Sequence, residues 1–352
     1  MDLSFWKGKR VFLTGHTGFK GSWMCRILIN NGAELTGYAL EPATNPNLFS
    51  ICDVEKNMVS VIGDIRDKNN LINAFNKATP EVVIHMAAQP IVRESYINPA
   101  YTYEVNVMGT VNILECVRLH EGVKSFLNVT TDKVYQNNEW HWGYRETDIL
   151  NGYDPYSNSK SCSELVTNSY KNSFFSDSKT AISTARSGNV IGGGDFSNDR
   201  IIPDCVRAAV TNEAIIVRNP QSVRPYQHVL DPLFAYLMIT ERQYNDINFA
   251  SQYNIGPDDC DCVSTGELAN LFCNAWGKNQ SWDRKNTDGP HETGFLKLDC
   301  SKLKNVFDWQ PRWNINTAVE KTIEWTRNYL ESKSVCDIMD NQIDEFIRNI
   351  QD

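Results

Sequence analysis

Several features that mark other classes of protein are missing from this sequence of 352 residues. No apolar run approaches the roughly 20 residues that span a bilayer, and the N-terminal segment MDLSFWKGKR lacks the apolar core of a signal peptide. Ten cysteines are scattered singly apart from Cys260 and Cys262, a spacing that gives neither a disulfide framework nor a zinc-ligand pattern. We therefore expect a cytoplasmic protein with reduced thiols and no bound metal.

Basic residues are the minority among the charged side chains. The chain carries 34 Lys and Arg against 43 Asp and Glu, a net charge of -9. Because nucleic acids and anionic membranes repel an excess of carboxylates, neither is expected as a partner. Hydrophobic residues make up 41% of the chain, a proportion typical of globular proteins, and the length fits a large domain plus a smaller one.

The first half of the chain alternates short apolar runs with segments of helical spacing. Strands of this kind, without polar alternation and separated by helices, are typical of a parallel sheet covered on both faces. The sequence therefore predicts an α/β fold with a doubly wound parallel Rossmann sheet. The predicted strands are Arg10–Thr14, Leu35–Leu40, Met58–Ile62, Val82–His85, Phe126–Thr130 and Ala181–Ala185. The predicted helices are Ser22–Asn30, Leu71–Lys77, Ala100–Leu119 and Tyr156–Phe174.

The pattern changes after about residue 190. A glycine-rich loop at Gly192–Gly194 is followed by short strands separated by proline and polar turns. We predict a dinucleotide-binding domain over 1–190 and a smaller C-terminal domain, mainly substrate-binding, over 191–352. Asn254–Gly256 is a candidate for a return segment to the main sheet.

Three glycines follow the first predicted strand in the segment GHTGFKG. The spacing G-x-x-G-x-x-G permits a tight turn, a close approach of backbone to pyrophosphate, and helix N–H groups that cradle its charge. The alternative is an ordinary glycine turn, but the position between a strand and an apolar helix favours a dinucleotide site. The predicted contacts are Gly15, His16, Thr17, Gly18, Phe19, Lys20 and Gly21.

The residues at the ends of the second and third strands bear on which dinucleotide binds. An acidic residue about 20 positions after the glycines would bind the ribose hydroxyls, and Glu41 is the candidate; the alternative is a solvated loop glutamate. No arginine pair follows for a 2′-phosphate, so NAD is favoured over NADP. Asp64, with Ile65, is predicted to contact adenine, although Asp64 is also a candidate N-cap of the next helix.

Small and polar residues follow the later strands of the predicted sheet. Ala87, Ala88 and Gln89 come after the fourth strand, where small side chains would let the cofactor approach the backbone. Thr130 and Ser187, at the ends of the fifth and sixth strands, are also predicted to contact it.

Tyr156 and Lys160 lie four residues apart, so a helix places them on one face. A tyrosine must lower its pKa of about 10 to act as a base near neutrality, and an adjacent ammonium favours the phenolate. The pair is common by chance, but it follows a glycine turn and a hydroxyl residue, Thr131, at the end of the preceding strand. We therefore predict a hydride-transfer site with Thr131, Tyr156 and Lys160 as catalytic residues.

The motifs TGHTGFKG, HMAAQP, TTDKVY and YSNSK, in this order, resemble those of the extended short-chain dehydrogenase/reductase family of NAD-dependent epimerases and dehydratases. The segments GNVIGGGDF, RPYQHVLD and LKLDCSKLKNVFDWQPRW resemble substrate-domain motifs of members that act on nucleotide sugars. The resemblance covers nearly the whole chain and implies a Rossmann fold, tightly held NAD and a homo-oligomer, dimer or tetramer. GHTGFKGSW and TTDKVY are most similar to the branch whose members dehydrate CDP-glucose for the dideoxyhexoses of surface polysaccharide such as O-antigen.

This resemblance implies roles for the acid and base that follow the fifth strand. Tyr156 would take the C4 hydroxyl proton, and Asp132 would protonate the departing C6 oxygen. Lys133 stands where related dehydratases have a glutamate that acts as the C5 base. A lysine can be a base only when its pKa lies well below about 10.4, so either Lys133 or a bound water is predicted to take the C5 proton. A solvated acid–base pair in a turn is the alternative.

The resemblance also implies substrate contacts for Asn189 and Arg224, the latter through a guanidinium fork that can pair with diphosphate oxygens, and more weakly for Arg207. Asp231 is predicted to cap the helix that follows it. A nucleotide-sugar epimerase or reductase, and a non-catalytic NAD-binding scaffold, are the competing functions. The preference for cytosine over thymine or uracil rests on the resemblance alone.

Overall fold

A seven-stranded parallel sheet forms the centre of the computed structural model, which describes residues 2–277, 279–285 and 294–348. The strand order is β11-β6-β5-β4-β1-β2-β3. The strands after β3 are added on the other side of β1, so the order switches between the parallel neighbours β1 and β4. The sheet strands are β1 (Arg10–Thr14), β2 (Glu34–Ala39), β3 (Val59–Ile62), β4 (Val82–His85), β5 (Ser125–Thr130), β6 (Ala181–Ser187) and β11 (Gln252–Ile255). The predicted doubly wound sheet is confirmed.

Among the described residues, three two-stranded sheets lie outside the main sheet. They are β7 (Val190–Ile191) with β10 (Gln227–His228), β9 (Val223–Arg224) with β12 (Val263–Ser264), and β8 (Ile215–Val217) with β13 (Trp282–Arg284).

Helices cover both faces of the sheet, so every residue of β4, β5 and β6 is buried, without the alternation of a sheet that has one solvent face. The helices of the first half are α1 (Phe19–Asn30), α2 (Leu48–Ile51), α3 (Lys68–Ala78), α4 (Val92–Ile97), α5 (Pro99–Tyr103), α6 (Gly109–Leu119) and α7 (Pro155–Phe174). Those of the second half are α8 (Ile201–Thr211), α9 (Leu230–Asn245), α10 (Thr265–Trp276), α11 (Ser301–Phe307), α12 (Ile315–Leu330) and α13 (Val335–Arg348).

The single helix predicted over 100–119 is interrupted. A π-helical turn at Glu104–Met108 separates α5 from α6. Within this turn the Asn106 side chain accepts a hydrogen bond from the Gln89 backbone N–H at 2.9 Å and donates one to the Gln89 carbonyl at 3.1 Å. The turn therefore fixes the loop after β4, which lies beside the cavity described below.

Parts of the second half pack on the main sheet. β11 pairs with β6, so the sheet includes Asn254. α9 lies against β5, where the Ser125 hydroxyl donates to the Thr240 carbonyl at 3.0 Å. A separate cluster of buried side chains joins α8, β8, α10 and α12.

The prediction that Asp231 caps the helix that follows it is wrong. The N-cap of α9 is Val229, and the buried Asp231 carboxylate instead accepts a hydrogen bond from the Arg312 backbone N–H at 2.7 Å. Burial raises the pKa of Asp231 to about 7. The residue therefore ties α9 to the segment before α12.

Within the described part of the chain, no helix has the length and apolar character needed to cross a membrane.

Candidate active site

A cavity of about 750 Å³ opens at the carboxyl ends of the sheet strands, where ligands bind in open α/β folds. Residues of both halves of the chain line it. The predicted site residues among its lining are Gly15, Thr17, Gly18, Phe19, Lys20, Gly21, Asp64, Ile65, Ala87, Ala88, Gln89, Thr130, Thr131, Asp132, Lys133, Tyr156, Lys160, Ser187, Asn189 and Arg224.

The glycine turn has the shape that a pyrophosphate requires. Gly15 has φ +80°, and a Cβ there would lie 2.8 Å from the Ala87 backbone N. A Cβ on Gly21 would lie 2.1 Å from the Gly15 carbonyl oxygen. Only glycine fits both positions, and the turn leads directly into the N-terminus of α1, where backbone N–H groups favour an anion. This part of the cavity therefore fits a dinucleotide.

His16 is not placed for a side-chain contact with a cofactor. Its ring is buried away from the cavity, with Nε2 2.9 Å from the Ser60 hydroxyl and the ring packed against Phe49. Burial lowers the pKa of His16 to about 4, so the ring is neutral. Gly37 opposite has no Cβ, and this leaves the space that the imidazole fills.

The acidic residues proposed for the adenosine side lie at the cavity wall. Glu41 and Asp64 both line it. The Asp64 carboxylate accepts hydrogen bonds from Arg66, which hold its pKa below the usual range. Asp64 is not an N-cap, because α3 is capped by Asp67, whose side chain accepts from the Asn70 backbone N–H at 3.0 Å.

The loops after β4 and β6 bring the remaining predicted cofactor contacts together. Gln89 is fixed by a hydrogen bond from its amide to the Thr102 hydroxyl at 2.9 Å. Ser187 shares a hydrogen bond with the Tyr236 hydroxyl, and Lys20 Nζ donates to the same hydroxyl at 3.1 Å. The amine of Lys20 therefore lies against the end of β6.

The catalytic candidates converge where β5 ends. Thr131 donates a hydrogen bond to Asp132 Oδ1 at 2.9 Å and accepts one from the Lys133 backbone N–H at 3.4 Å. α7 begins beside them with Pro155 in its first turn and Asp154 as N-cap. Because α7 begins here, Tyr156 lies next to Thr131 and is hydrogen-bonded to it. The geometry agrees with the prediction that these residues form one cluster.

The ionisation of Tyr156 and Lys160 differs from the expectation. Burial is the dominant influence on both groups: it raises the pKa of Tyr156 to about 12, against the hydrogen bond with Thr131, which lowers it. Burial, followed by the nearby charge of Lys20, lowers the pKa of Lys160 to about 8. The same cause, with the charge of Arg200, lowers the pKa of Lys20 to about 7. Loss of water contacts therefore outweighs the pairing that the sequence suggested.

Asp132 is held by close packing. Its carboxylate is buried, and a Cβ on Gly188 would lie 2.0 Å from its Oδ2. The Asn189 side chain, predicted to contact substrate, donates to the same oxygen at 3.2 Å and has φ +38°. Asn189 is therefore placed to orient the acid as well as to line the cavity.

A buried ion pair under the catalytic cluster was not predicted. Glu164 and Arg186 are almost fully buried, and Arg186 Nη2 lies 2.9 Å from Glu164 Oε2. Glu164 also accepts hydrogen bonds from Thr130 and Thr184. Its position four residues after Lys160, on the same helix face, was the available signal.

The arginines are distributed differently from the prediction. Arg224 is buried in β9 and lines the cavity. Arg207 is not among the residues that line it: this side chain lies on the exposed face of α8, where it pairs with Asp204 and donates to the Ser197 carbonyl at 3.1 Å. Arg93, Arg200 and Arg218 also line the cavity.

Comparisons with known proteins agree on the family. The family model for GDP-mannose 4,6 dehydratase matches residues 12–322. CDP-glucose 4,6-dehydratase of Salmonella typhimurium is 44% identical over 99% of this chain and 98% of its own length. dTDP-glucose 4,6-dehydratase of Shigella flexneri is 27% identical over 90% of this chain and 92% of its own length.

Solved structures agree on the fold. UDP-glucose 4-epimerase of Thermotoga maritima superposes with a TM-score of 0.80 at 22% identity, over 91% of this chain and 99% of its own. dTDP-glucose 4,6-dehydratase of Bacillus anthracis, solved with NAD, has a TM-score of 0.77 at 21% identity, over 93% and 99%. The extent of the family match and the 44% identity establish that the chain belongs to the GDP-mannose 4,6 dehydratase family, within the extended short-chain dehydrogenases/reductases.

Proposed function

We propose that the protein is an NAD-dependent lyase that removes water from CDP-glucose and forms CDP-4-dehydro-6-deoxyglucose. The observation that carries the proposal is the position of Asp132 and Lys133 beside Thr131, Tyr156 and Lys160 in one cavity. Epimerases and reductases of this fold need only the last three groups, whereas dehydration also needs an acid at C6 and a base at C5. The relative with 44% identity is named for this reaction.

The cofactor would be held by the glycine turn from Gly15 to Gly21 and by the walls near Asp64 and Gln89, which all line the cavity. When bound, NAD supplies a centre that takes up hydride from C4 and delivers it to C6, so no oxidant is consumed overall. The side chains of the protein would then carry out the proton transfers at the C4 hydroxyl, at C5 and at the C6 oxygen.

Each proton transfer has a candidate group at the end of β5 or the start of α7. Tyr156 accepts the proton of the C4 hydroxyl, assisted by its hydrogen bond with Thr131, which opposes the effect of burial on its pKa. Lys160, which also lines the cavity, has the supporting role that the family resemblance implies. The resulting ketone acidifies the C5 hydrogen, which Lys133 or a water beside it removes. Asp132 gives a proton to the C6 oxygen, which leaves as water.

The second half of the chain would bind the rest of the substrate. Arg224 and Arg200 line the cavity and are suited to a diphosphate, because a guanidinium can pair with two oxygens at once. We accordingly assign cofactor binding mainly to 1–190 and substrate binding mainly to 191–352, although β11 belongs to the main sheet and α9 packs on it.

A homo-oligomer, dimer or tetramer, is part of this proposal. Large apolar side chains are exposed on α4 and α7, among them Ile97, Leu165 and Phe174, with Ile97 72% exposed. Apolar surface of this kind is common at subunit interfaces. Light scattering after gel filtration would measure the mass. Cytoplasmic location and a role in making surface-polysaccharide dideoxyhexoses stay predictions from the family resemblance.

Product analysis tests the proposal. The purified protein with NAD would be incubated separately with CDP-glucose, dTDP-glucose and UDP-glucose, and the products weighed by mass spectrometry. We expect CDP-glucose to lose one water. A new isomer of unchanged mass, distinguished from the substrate by NMR, would identify an epimerase. Net conversion of NAD to NADH would identify an oxidoreductase, and NAD binding without turnover of any of the three sugars would favour a scaffold.

A further inference from the structure

The position of the catalytic cluster limits where the base of a nucleotide sugar can lie; this inference rests on the proposed function. The sugar must meet Tyr156 and Asp132 at the ends of the sheet strands. In the proposed binding mode the nucleoside at the other end of the substrate extends toward the wall formed by α8 and β8. From that wall Pro203, Ile216 and Arg218 line the same cavity.

The wall offers a small apolar surface for a flat ring, mainly from Ile216. Ile216 lies in β8 with 44% of its surface exposed, and behind it Ile202 and Pro203, in the first turn of α8, are buried. All three line the cavity, and such side chains suit the faces of a planar heterocycle but do not distinguish one pyrimidine from another.

A charged group stands at the same wall. Asp199 Oδ1 lies 2.9 Å from Arg218 Nη1 and 3.6 Å from Arg93 Nε. Arg93 belongs to α4 and Arg218 follows β8, so the carboxylate lies between the two sides of the cavity, and all three residues line it. Asp199 has φ +58°, a conformation that Asp and Asn tolerate better than most residues.

Cytosine and uracil present opposite patterns to such a pair. Cytosine has an amino donor at N4 beside an acceptor at N3, whereas uracil and thymine have an acceptor at O4 beside an N–H donor at N3. A carboxylate accepts from the cytosine amino group, and an adjacent guanidinium can donate to its ring nitrogen. With uracil or thymine, the carboxylate would face the O4 acceptor and the guanidinium would face the N3–H donor, and neither contact is a hydrogen bond.

We propose that Asp199, held by Arg218, is the residue that selects cytosine at the base end of the cavity. One such matched pair of hydrogen bonds discriminates by roughly 10- to 100-fold. The wild-type protein should therefore prefer CDP-glucose to UDP-glucose by at least about this ratio of kcat/KM.

The test compares substitutions by their effect on that ratio. In Asp199→Asn the amide can turn its NH2 toward O4 of uracil, and Asn also tolerates the positive φ. We expect the CDP-to-UDP ratio of kcat/KM to fall by about tenfold or more, mainly through the KM values. Asp340→Asn is the matched control, because Asp340 pairs with Arg26 on α1 and is not among the cavity residues. Its ratio should equal that of the wild type.

Binding of CMP and UMP, measured by isothermal titration calorimetry on the wild type and both variants, gives the same comparison without the sugar or the chemistry, and thermal unfolding confirms that each variant is folded. If D199N slows both substrates equally, Asp199 only joins the two walls and the proposal is wrong. An unchanged kcat/KM ratio with unchanged CMP and UMP affinities also overturns it. If the wild type dehydrates no nucleotide sugar, the proposed function fails independently, and the CMP and UMP measurements still decide whether Asp199 selects the base.

Discussion

At the residue scale, the acid and base after β5 separate a dehydratase from the simpler reactions of the fold. Asp132 is fixed by Thr131, Asn189 and the close approach of Gly188, so its carboxylate is oriented before substrate arrives. Such preorganisation is what makes a proton donor effective at one oxygen of a sugar with several.

Replacing Lys133 tests whether its amine takes the C5 proton. Lys133→Met keeps a long side chain and removes the amine, so the formation rate of the 4-keto-6-deoxy product should fall by about 10²- to 10⁴-fold, the usual contribution of a general base. Stopped-flow absorbance should still show reduced cofactor forming, because oxidation at C4 does not need this group. If K133M incorporates solvent deuterium at C5 at the wild-type rate, another group is the base.

The two predicted substrate arginines should now behave differently. Arg224→Ala removes a buried guanidinium from the cavity wall and should raise the KM for the nucleotide sugar by about tenfold or more, the cost of a lost charged hydrogen bond. Arg207→Ala alters an exposed ion pair on α8 and should leave KM within about twofold. Steady-state kinetics decides, and a large KM effect of R207A would contradict its assignment outside the cavity.

At the scale of elements, the connection from β6 to β7 sets the position of the acid. Gly188→Ala would place a Cβ 2.0 Å from Asp132 Oδ2 and push the carboxylate aside, so activity should fall by at least about 10²-fold while the fold is kept. Gly256→Ala is the control, because its Cβ would meet nothing closer than 3.5 Å. Circular dichroism and product formation separate the two effects. Equal activity of the two variants would show that Asp132 can move without loss.

Asp231, which ties α9 to the segment before α12, should make stability depend on pH. Its pKa is raised from 3.8 to about 7 by burial, so between these values the folded state binds a proton that the unfolded state does not. The contribution of Asp231 to the free energy of unfolding therefore decreases as pH rises from about 4 to about 7.

Urea unfolding of wild type and Asp231→Asn at pH 5 and pH 8 measures this term. The wild type should lose up to about 3 kcal/mol more than the variant between the two pH values, since two pKa units correspond to about 2.7 kcal/mol. If both proteins show the same pH dependence, the Asp231 carboxylate is not shielded from water as the structure indicates.

At the scale of the whole molecule, the sequence predicted the sheet well because its central strands are buried on both faces and are separated by helices. It also predicted the cluster of Thr131, Tyr156 and Lys160, since strand end and helix start are close in the sequence. The structure differs from the expectation where tertiary contacts determine which way a side chain points. His16 lies in a motif but its ring turns into the core, and Asp231 precedes a proline yet bonds to a segment 81 residues away.

The same reason explains why the Glu164–Arg186 pair and the Asp199–Arg218 pair were not predicted. The members of each pair come from different elements: Glu164 lies on α7 and Arg186 in β6, whereas Asp199 lies in a loop and Arg218 follows β8. The spacing of Glu164 from Lys160 indicated only that the two share a helix face, and nothing in the sequence indicated the arginine partners. The lowered pKa values of Lys20 and Lys160 likewise depend on burial, which the sequence does not display.

The most direct test of the central claim is incubation with CDP-glucose in D2O, followed by NMR of the product and by measurement of the cofactor. We predict CDP-4-dehydro-6-deoxyglucose with solvent deuterium at C5 and no net change in NAD, because the C5 proton is removed by the protein while hydride is only borrowed. A sugar product that keeps C6 oxygenated and carries no deuterium at C5 would contradict the dehydratase mechanism and the roles given to Asp132 and Lys133.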